Sequence, residues 1–184
     1  MLTGKRIYLR KVRIEDAPVL FKWGQDPIYH KMAGYSDYSS LEKAQEGAKI
    51  YSERQYSYAI VLKKNDQMIG LVELYNRGTD GEAGLLATKS LGFMMDRNYW
   101  HQGYMVEALS IVLNYAFDNL NQNQIWAGTF ANNEISQNLL KKLGFRYVYT
   151  VDYNEVSELF NYKEKFFVLT PQDWHVIMQL NTKS

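Results

Sequence analysis

Leu91-Gly92-Phe93-Met94-Met95-Asp96-Arg97-Asn98-Tyr99-Trp100-His101-Gln102-Gly103-Tyr104-Met105-Val106-Glu107-Ala108-Leu109 is the stretch that decides the fold. Its first five residues are apolar or small and read as the end of a strand. A polar loop follows. From Gly103 onward Val106, Leu109, Leu113, Ala116, Phe117 and Leu120 fall on one face at steps of three and four, which predicts a helix over 103–120. A strand that enters a helix through a polar loop with glycine at the helix start suits an anion. The first helical amides point outward, the dipole end is positive, and glycine lets a phosphate come close. The plain alternative is an ordinary strand–helix connection of the kind common in α/β folds.

Upstream, residues 56–63 and 68–76 read as two strands of a hairpin turning at Asn65-Asp66-Gln67. Ser39-Ser40-Leu41-Glu42 reads as a capping box with Ser39 as cap, and predicts a helix to about residue 54. Residues 6–12 alternate as a strand does, and Glu15-Asp16-Ala17-Pro18 opens a helix that should stop near Gly24. Downstream, residues 125–130 form a strand, and residues 133–143 a helix with Leu139, Leu140 and Leu143 on its apolar side. Gly144 fits a left-handed C-cap with Phe145 packing back. Strands follow at 147–151 and 166–169, and Thr170-Pro171 starts a last short helix. The order β-α-α-β-β-β-α-β-α-β-β-(α) implies an α/β (α+β) fold with a mixed sheet and helices on its faces. At 184 residues, with no repeat or linker, one domain over 1–184 is expected.

Composition removes several function classes. Cysteine is absent, which excludes disulfides, a cysteine nucleophile and Cys-based metal sites. Lys plus Arg is 21 against 20 Asp plus Glu, so no charge excess marks a nucleic-acid or anionic-membrane binder. No apolar run is long enough for a membrane span, and no apolar signal core follows Met1, so the expected location is the cytoplasm. His30, His101 and His175 lie far apart and no H-E-x-x-H occurs, so no metal is expected. The G-x-G-x-x-G, G-x-x-x-x-G-K-S/T and G-x-S-x-G signatures are also absent.

The segment Asn132 to Phe145 reads NNEISQNLLKKLGF. By itself it is an amphipathic helix with Asn133 as a favoured N-cap and Ser136 in the first turn. Taken together, the two segments resemble the GNAT superfamily of acyl-CoA-dependent N-acetyltransferases, and within it the Rim-type branch that acetylates N-termini of ribosomal proteins. The family's Gln/Arg-x-x-Gly-x-Gly/Ala loop, often Y-W-G-x-G-Y-x-x-E-A in that branch, is matched by Tyr99-Trp100-His101-Gln102-Gly103-Tyr104-Met105-Val106-Glu107-Ala108. The later N-x-x-S-x-x-x-x-x-K-x-G-F pattern is matched by Asn133, Ser136, Lys142, Gly144 and Phe145. The opening Arg6-Ile7-Tyr8-Leu9-Arg10, Glu15-Asp16-Ala17 and the ending Leu169-Thr170-Pro171-Gln172-Asp173-Trp174 are similar too, so the likeness spans nearly the whole chain. It implies the GNAT fold, with a central, mostly antiparallel mixed sheet flanked by helices. Trp100 stands where the wider superfamily has Gln or Arg, His101 where glycine is common, and Met105 where a small residue is common. Leu140 occupies the place of a frequent tyrosine acid.

The resemblance implies acetyl transfer from acetyl-CoA to a primary amine, either a protein N-terminus or a small amine or polyamine. It assigns the CoA pyrophosphate to the loop His101, Gln102, Gly103, Tyr104 and Met105. Pantetheine and thioester fall to the backbone of Phe93, Met94 and Met95, whose side chains can equally be core. Asn133 orders pantetheine or caps its helix. The reaction needs a proton acceptor for the amine and a donor toward the thioester. Glu73, a lone acid inside an apolar strand, is the candidate base, against the plain reading of a solvent-facing glutamate; Glu82 is the fallback. Ser136 is the candidate hydrogen-bond donor on the thiol side. The loops 24–38 and 152–164 should flank the amine site. Tyr29, Tyr35, Tyr38, Tyr153, Phe160 and Tyr162, with Asp26, Asp37, Asp152, Glu155 and Glu158, suit a cationic amine or peptide N-terminus, or equally a homodimer interface. The alternatives are a CoA-binding regulator without catalysis, which the leucine at 140 would favour, and a binding protein that does not use CoA.

Overall fold

The computed structural model describes residues 1–78, 87–155 and 161–181. Its strands are β1 (Leu2–Thr3), β2 (Ile7–Lys11), β3 (Ser57–Leu62), β4 (Met68–Asn76), β5 (Thr88–Met95), β6 (Gln124–Phe130), β7 (Arg146–Asp152) and β8 (Lys163–Leu169). Its α-helices are α1 (Ala17–Gly24), α2 (Pro27–Ala33), α3 (Leu41–Glu53), α4 (Tyr104–Asn114), α5 (Glu134–Lys142) and α6 (Pro171–Asn181). The chain divides into two compact units, Met1–Leu74 with Phe93–Val112 and Tyr75–Gly92 with Leu113–Ser184, and β4 and β5 contribute residues to both. No helix of the described residues is long and apolar enough to cross a membrane.

In the first unit the strand order is β1-β2-β3-β4-β5. The strands from β1 to β4 pair antiparallel with their neighbours. β2 alternates, with Ile7 and Leu9 fully buried and Tyr8 and Arg10 half-buried. β4 does not alternate: residues 68–74 are all buried, as expected of a strand covered on both faces. Asp16, at the start of α1, takes both guanidinium nitrogens of Arg10 at 2.7 Å. The cap of α3 is Ser40 rather than Ser39; its hydroxyl accepts from the Lys43 amide at 3.3 Å. Adjacent serines offer the same oxygen, so the spacing rule cannot choose between them.

α2 is absent from the sequence expectation. Asp26 caps it through the Ile28 amide at 3.2 Å, Pro27 is its first residue, and Gly34 at φ +61° closes it. Start and stop signals so close together leave too few residues for periodicity to register. The consequence is a correction: Tyr29 and Tyr35 are core residues, packed with Leu20, Trp23 and Met94, and of the three only Tyr38 also lines a pocket. Tyr35 and Tyr38 meet edge to face at 5.8 Å. The Tyr29 hydroxyl accepts from the Arg97 amide at 2.8 Å.

In the second unit the order is β4-β5-β6-β8-β7. β5 and β6 are parallel, from Thr88↔Gln124 to Ser90↔Trp126, where their ladder ends. β8 pairs antiparallel with both β6 and β7. The C-cap of α5 is as expected: Gly144 sits at φ +88°, and the Phe145 amide reaches the Leu140 carbonyl at 3.0 Å. The last helix is longer than expected at 11 residues; the Thr170 hydroxyl accepts from the Asp173 amide at 3.3 Å, and buried Trp174 donates to Asn114 at 2.8 Å. The expected long helix is α4 followed by a π-helical turn, Tyr115–Asn119. The sheet is mixed and mostly antiparallel, and six helices accompany it.

Candidate active site

The loop before α4 is tightly braced. Asp96 accepts from the Asn98 amide at 3.0 Å, from the Trp23 indole at 3.1 Å and from Lys22 at 3.3 Å. The Trp100 indole donates to the Met95 carbonyl at 2.7 Å, and the Gln102 side chain donates to the Asn98 carbonyl at 2.8 Å. His101 at φ +59° and Gly103 at φ +79° both take the left-handed region. Glycine is common at the place of His101 because that backbone costs an ordinary side chain energy; here the loop accepts the Cβ. These two left-handed residues, with Gln102 between them, lead into α4, whose first amides lack acceptors from their own helix.

Arg6 stands beside these amides. A Cβ on Gly103 would lie 3.4 Å from its guanidinium, which donates to the Gln102 carbonyl at 2.9 Å and lies 4.3 Å over the Tyr104 ring. Glu107, in the first turn of α4, takes the Arg6 amide at 2.7 Å, the Arg6 Nε at 2.8 Å and the Ile7 amide at 3.3 Å. Burial alone would raise the Glu107 carboxyl, but these donors and the Arg6 charge outweigh it and hold it below the ordinary glutamate value.

Glu73 is buried in β4, with its carboxylate 2.9 Å from the Arg54 guanidinium. Directly across the β3–β4 ladder lies Ser57, whose buried hydroxyl has no hydrogen-bond partner among the described residues. Burial, followed by the Glu73 charge, pushes the Tyr51 phenol above its ordinary value. Tyr51 and Arg54 line a pocket of about 360 Å³ with Tyr38, Lys43, Glu46 and Gly47. The candidate base is thus a buried residue paired with an arginine of the pocket wall, rather than a solvent-facing strand residue.

In β5, Met94 and Met95 are buried and Phe93 half-buried, so their side chains are core and only their backbone is open to another role. In the second unit Asn133 is buried and caps α5, its side-chain oxygen accepting from the Ser136 amide at 3.1 Å. Ser136 is half-buried one turn before fully buried Leu140.

Residues 6–146 match the model of the Acetyltransferase (GNAT) domain family. The chain belongs to the GNAT acetyltransferase family. It is 31% identical over 154 residues to the "Probable N-acetyltransferase YjcK" of Bacillus subtilis, covering 79% of this chain and 83% of that one. It is 29% identical over 150 residues to the "Uncharacterized N-acetyltransferase p20" of Bacillus licheniformis, covering 79% and 82%. A Vibrio cholerae spermidine N-acetyltransferase solved with CoA and spermine shares the fold at a TM-score of 0.75 and 15% identity, over 92% of this chain and 98% of that one. A Vibrio cholerae protein provisionally described as a ribosomal-protein-serine acetyltransferase shares it at 0.73 and 20%, over 92% and 97%. This GNAT chain is therefore an acetyltransferase, and acetyl-CoA is the expected acetyl donor.

Within the GNAT chain the first unit holds Glu73, Phe93, Met94, Met95, His101, Gln102, Gly103, Tyr104 and Met105, and the second holds Asn133 and Ser136. Two residues of the first unit escaped the sequence reading. Arg54 gave no signal beyond a helix end, and Arg6 only the opening of a strand. Two of the acids expected at the amine site have structural partners: Asp26 caps α2 and pairs with Arg97 at 3.2 Å, and Asp152 pairs with Lys163 at 2.6 Å; Asp37 lines the same pocket as Arg54. Glu82, Glu158 and Phe160 lie outside the described residues.

Proposed function

We propose that this chain, as one GNAT domain over 1–184, transfers the acetyl group of acetyl-CoA to a primary amine, either a small cationic amine or a protein N-terminus of the Rim-type class. The observation that carries the reading is the braced loop at the start of α4. Left-handed His101 and Gly103 lead into the helix start, where the first amides have no intrahelical acceptors and the Arg6 guanidinium stands beside Gly103, an arrangement fit for the CoA pyrophosphate. The β5 backbone at residues 93–95, beyond the end of its ladder with β6, pairs with pantetheine and offers an amide to the thioester oxygen. Glu73 takes the proton of the attacking amine, directly or through water, and Ser136 hydrogen-bonds on the thioester side. The phenol common at the place of Leu140 is missing, so the thiolate leaves with Ser136 or solvent as donor.

The test is thiol release from acetyl-CoA with a panel of primary amines and N-terminal peptides, alongside calorimetric titration of acetyl-CoA. Gly103→Pro should abolish acetyl-CoA binding, because it removes a donor and cannot adopt φ +79°. A folded Gly103→Pro protein that binds acetyl-CoA normally would place the phosphate site elsewhere. Ser136→Ala should cost less than loss of Glu73, because water can replace a hydroxyl donor.

A further inference from the structure

The second unit carries a row of aromatic rings. Strand alternation puts Trp126, Gly128 and Phe130 of β6 on one face, and the register continues that face through Glu164 and Phe166 of β8. Tyr149 of β7 stacks on Phe166 at 4.9 Å and approaches Trp126 at 6.2 Å. Tyr162 joins the row 4.9 Å from Phe130 and 4.8 Å from Tyr153. All of these rings except the more exposed Tyr149 are half-buried.

The two ends of the row differ in charge. At one end the Arg77 guanidinium lies 4.3 Å over the Trp126 ring, so the row already holds a cation on its surface. At the other end is an anion. The Glu164 carboxylate lies over Gly128, where any Cβ would run into its Oε1 and come 3.3 Å from the Phe166 ring. Burial raises its carboxyl above the ordinary value, and Tyr153 works against that rise. The lysines on either side are engaged elsewhere, Lys163 with Asp152 at 2.6 Å and Lys165 with Gln137 at 3.2 Å. Among the described residues no lysine or arginine is ion-paired to Glu164. A half-buried carboxylate in register with Phe130, over Gly128, and without a paired lysine or arginine among the described residues has the chemistry of an ammonium site.

We propose that Glu164, with Phe130, Tyr153 and Tyr162, is a binding site for an organic ammonium ion, protonated or quaternary. Gly128 is part of the device, because a Cβ there would run into the carboxylate.

Calorimetry on the full chain, without acetyl-CoA, tests the site with choline as cation and 3,3-dimethylbutan-1-ol as its neutral carbon isostere. Choline should bind and the isostere should not. Glu164→Gln should weaken choline binding by at least about tenfold. Tyr162→Leu should weaken it about two- to fivefold. Equal binding of the two probes by the wild type, or unchanged choline affinity in Glu164→Gln, overturns the proposal. Glu164→Gln removes a charge that no lysine or arginine of the described residues pairs with, so folding is not at risk; Gly128→Val, which displaces the carboxylate, gives an independent second variant and should weaken choline in the same way.

Discussion

Glu73 and Glu164 are both strand glutamates withdrawn from solvent among aromatic side chains, and they are supplied with charge in opposite ways. Glu73 has a cation of its own: Arg54 stands 2.9 Å away, at the rim of a pocket. Glu164 has a phenol and ring faces. A carboxylate whose counter-ion belongs to the fold is held in one place and can exchange protons without waiting for a ligand. A carboxylate whose counter-ion is missing is destabilised until a cation arrives, and part of its desolvation cost is returned on binding. The first arrangement suits chemistry and the second suits recognition.

The largest effect should come from exchanging the chemistry of the first. Glu73→Gln should lower kcat/KM by on the order of 10²–10⁴, the usual loss when general-base help is removed, and should weaken or move the rising limb of the pH–rate profile. Acetyl-CoA affinity should not change. Glu164→Gln should instead weaken choline binding and leave the rate with a singly charged amine nearly intact. If Glu164→Gln costs more in kcat/KM than Glu73→Gln, the two roles are reversed; if Glu73→Gln keeps full rate and profile, the amine arrives already neutral or another carboxylate serves.

Stability should separate the two next. Arg54→Met leaves a buried carboxylate without its cation and should destabilise the protein by about 1–3 kcal/mol in urea titration. Arg54→Lys should recover part of that. A wild-type midpoint for Arg54→Met would mean that the other neighbours of Glu73 satisfy it.

How much of this was legible in the sequence follows from how far each contact reaches along the chain. Gly144 and Phe145 were legible because the C-cap is built from consecutive residues, Leu140 to Phe145, and the helix after Gly103 because its apolar face repeats at steps of three and four. His101 was legible as an oddity, and its φ of +59° gives the reason. Arg6 with Glu107, 101 residues apart, and Arg54 with Glu73, 19 apart, carry no local pattern at all. Tyr29 and Tyr35 were read as loop aromatics because α2 is too short to show a period, and the structure buries both in the core. Aromatic composition alone does not distinguish a core from a site. The Glu164 cluster was half legible: Tyr153 and Tyr162 stood out as loop aromatics, whereas the carboxylate is defined by strand register and by the glycine beneath it.

The pH dependence of stability should run in opposite directions in the two units. Glu107 of the first unit is held below the ordinary glutamate value of 4.5: burial raises it, but the Arg6 and Ile7 donors prevail. Its contribution is therefore present above that value and lost as pH falls through its lower folded value. Glu164 is pushed above 4.5, chiefly by burial. Its contribution is present below 4.5 and lost as pH rises through the higher folded value. Glu107→Gln should therefore be less stable than the wild type at neutral pH, with the gap closing in acid. Glu164→Gln should gain on the wild type as pH rises from 4 to 7 in buffer without amines, and saturating choline should erase the gain. Parallel pH curves for the two variants would break the distinction between a supplied and a missing counter-ion.

The smallest expected effect concerns Asn133, which sits between the two proposals for the second unit. Its amide donates to the Phe130 carbonyl at 2.9 Å, so it borders a wall of the Glu164 site, while its side chain caps α5. Asn133→Ala should cost about 1 kcal/mol of stability for the cap alone. The bond to Phe130 runs through the backbone and survives the substitution, so choline affinity should stay at the wild-type value. Acetyl-CoA affinity is the discriminating measurement. If it falls by no more than the stability does, Asn133 is a helix cap. A loss of affinity well beyond about fivefold, the equivalent of 1 kcal/mol, means that the side chain also meets pantetheine. A fall in choline affinity of that size would instead show that the ammonium site depends on the start of α5, and that the contrast between Glu73 and Glu164 reaches beyond the strands that carry them.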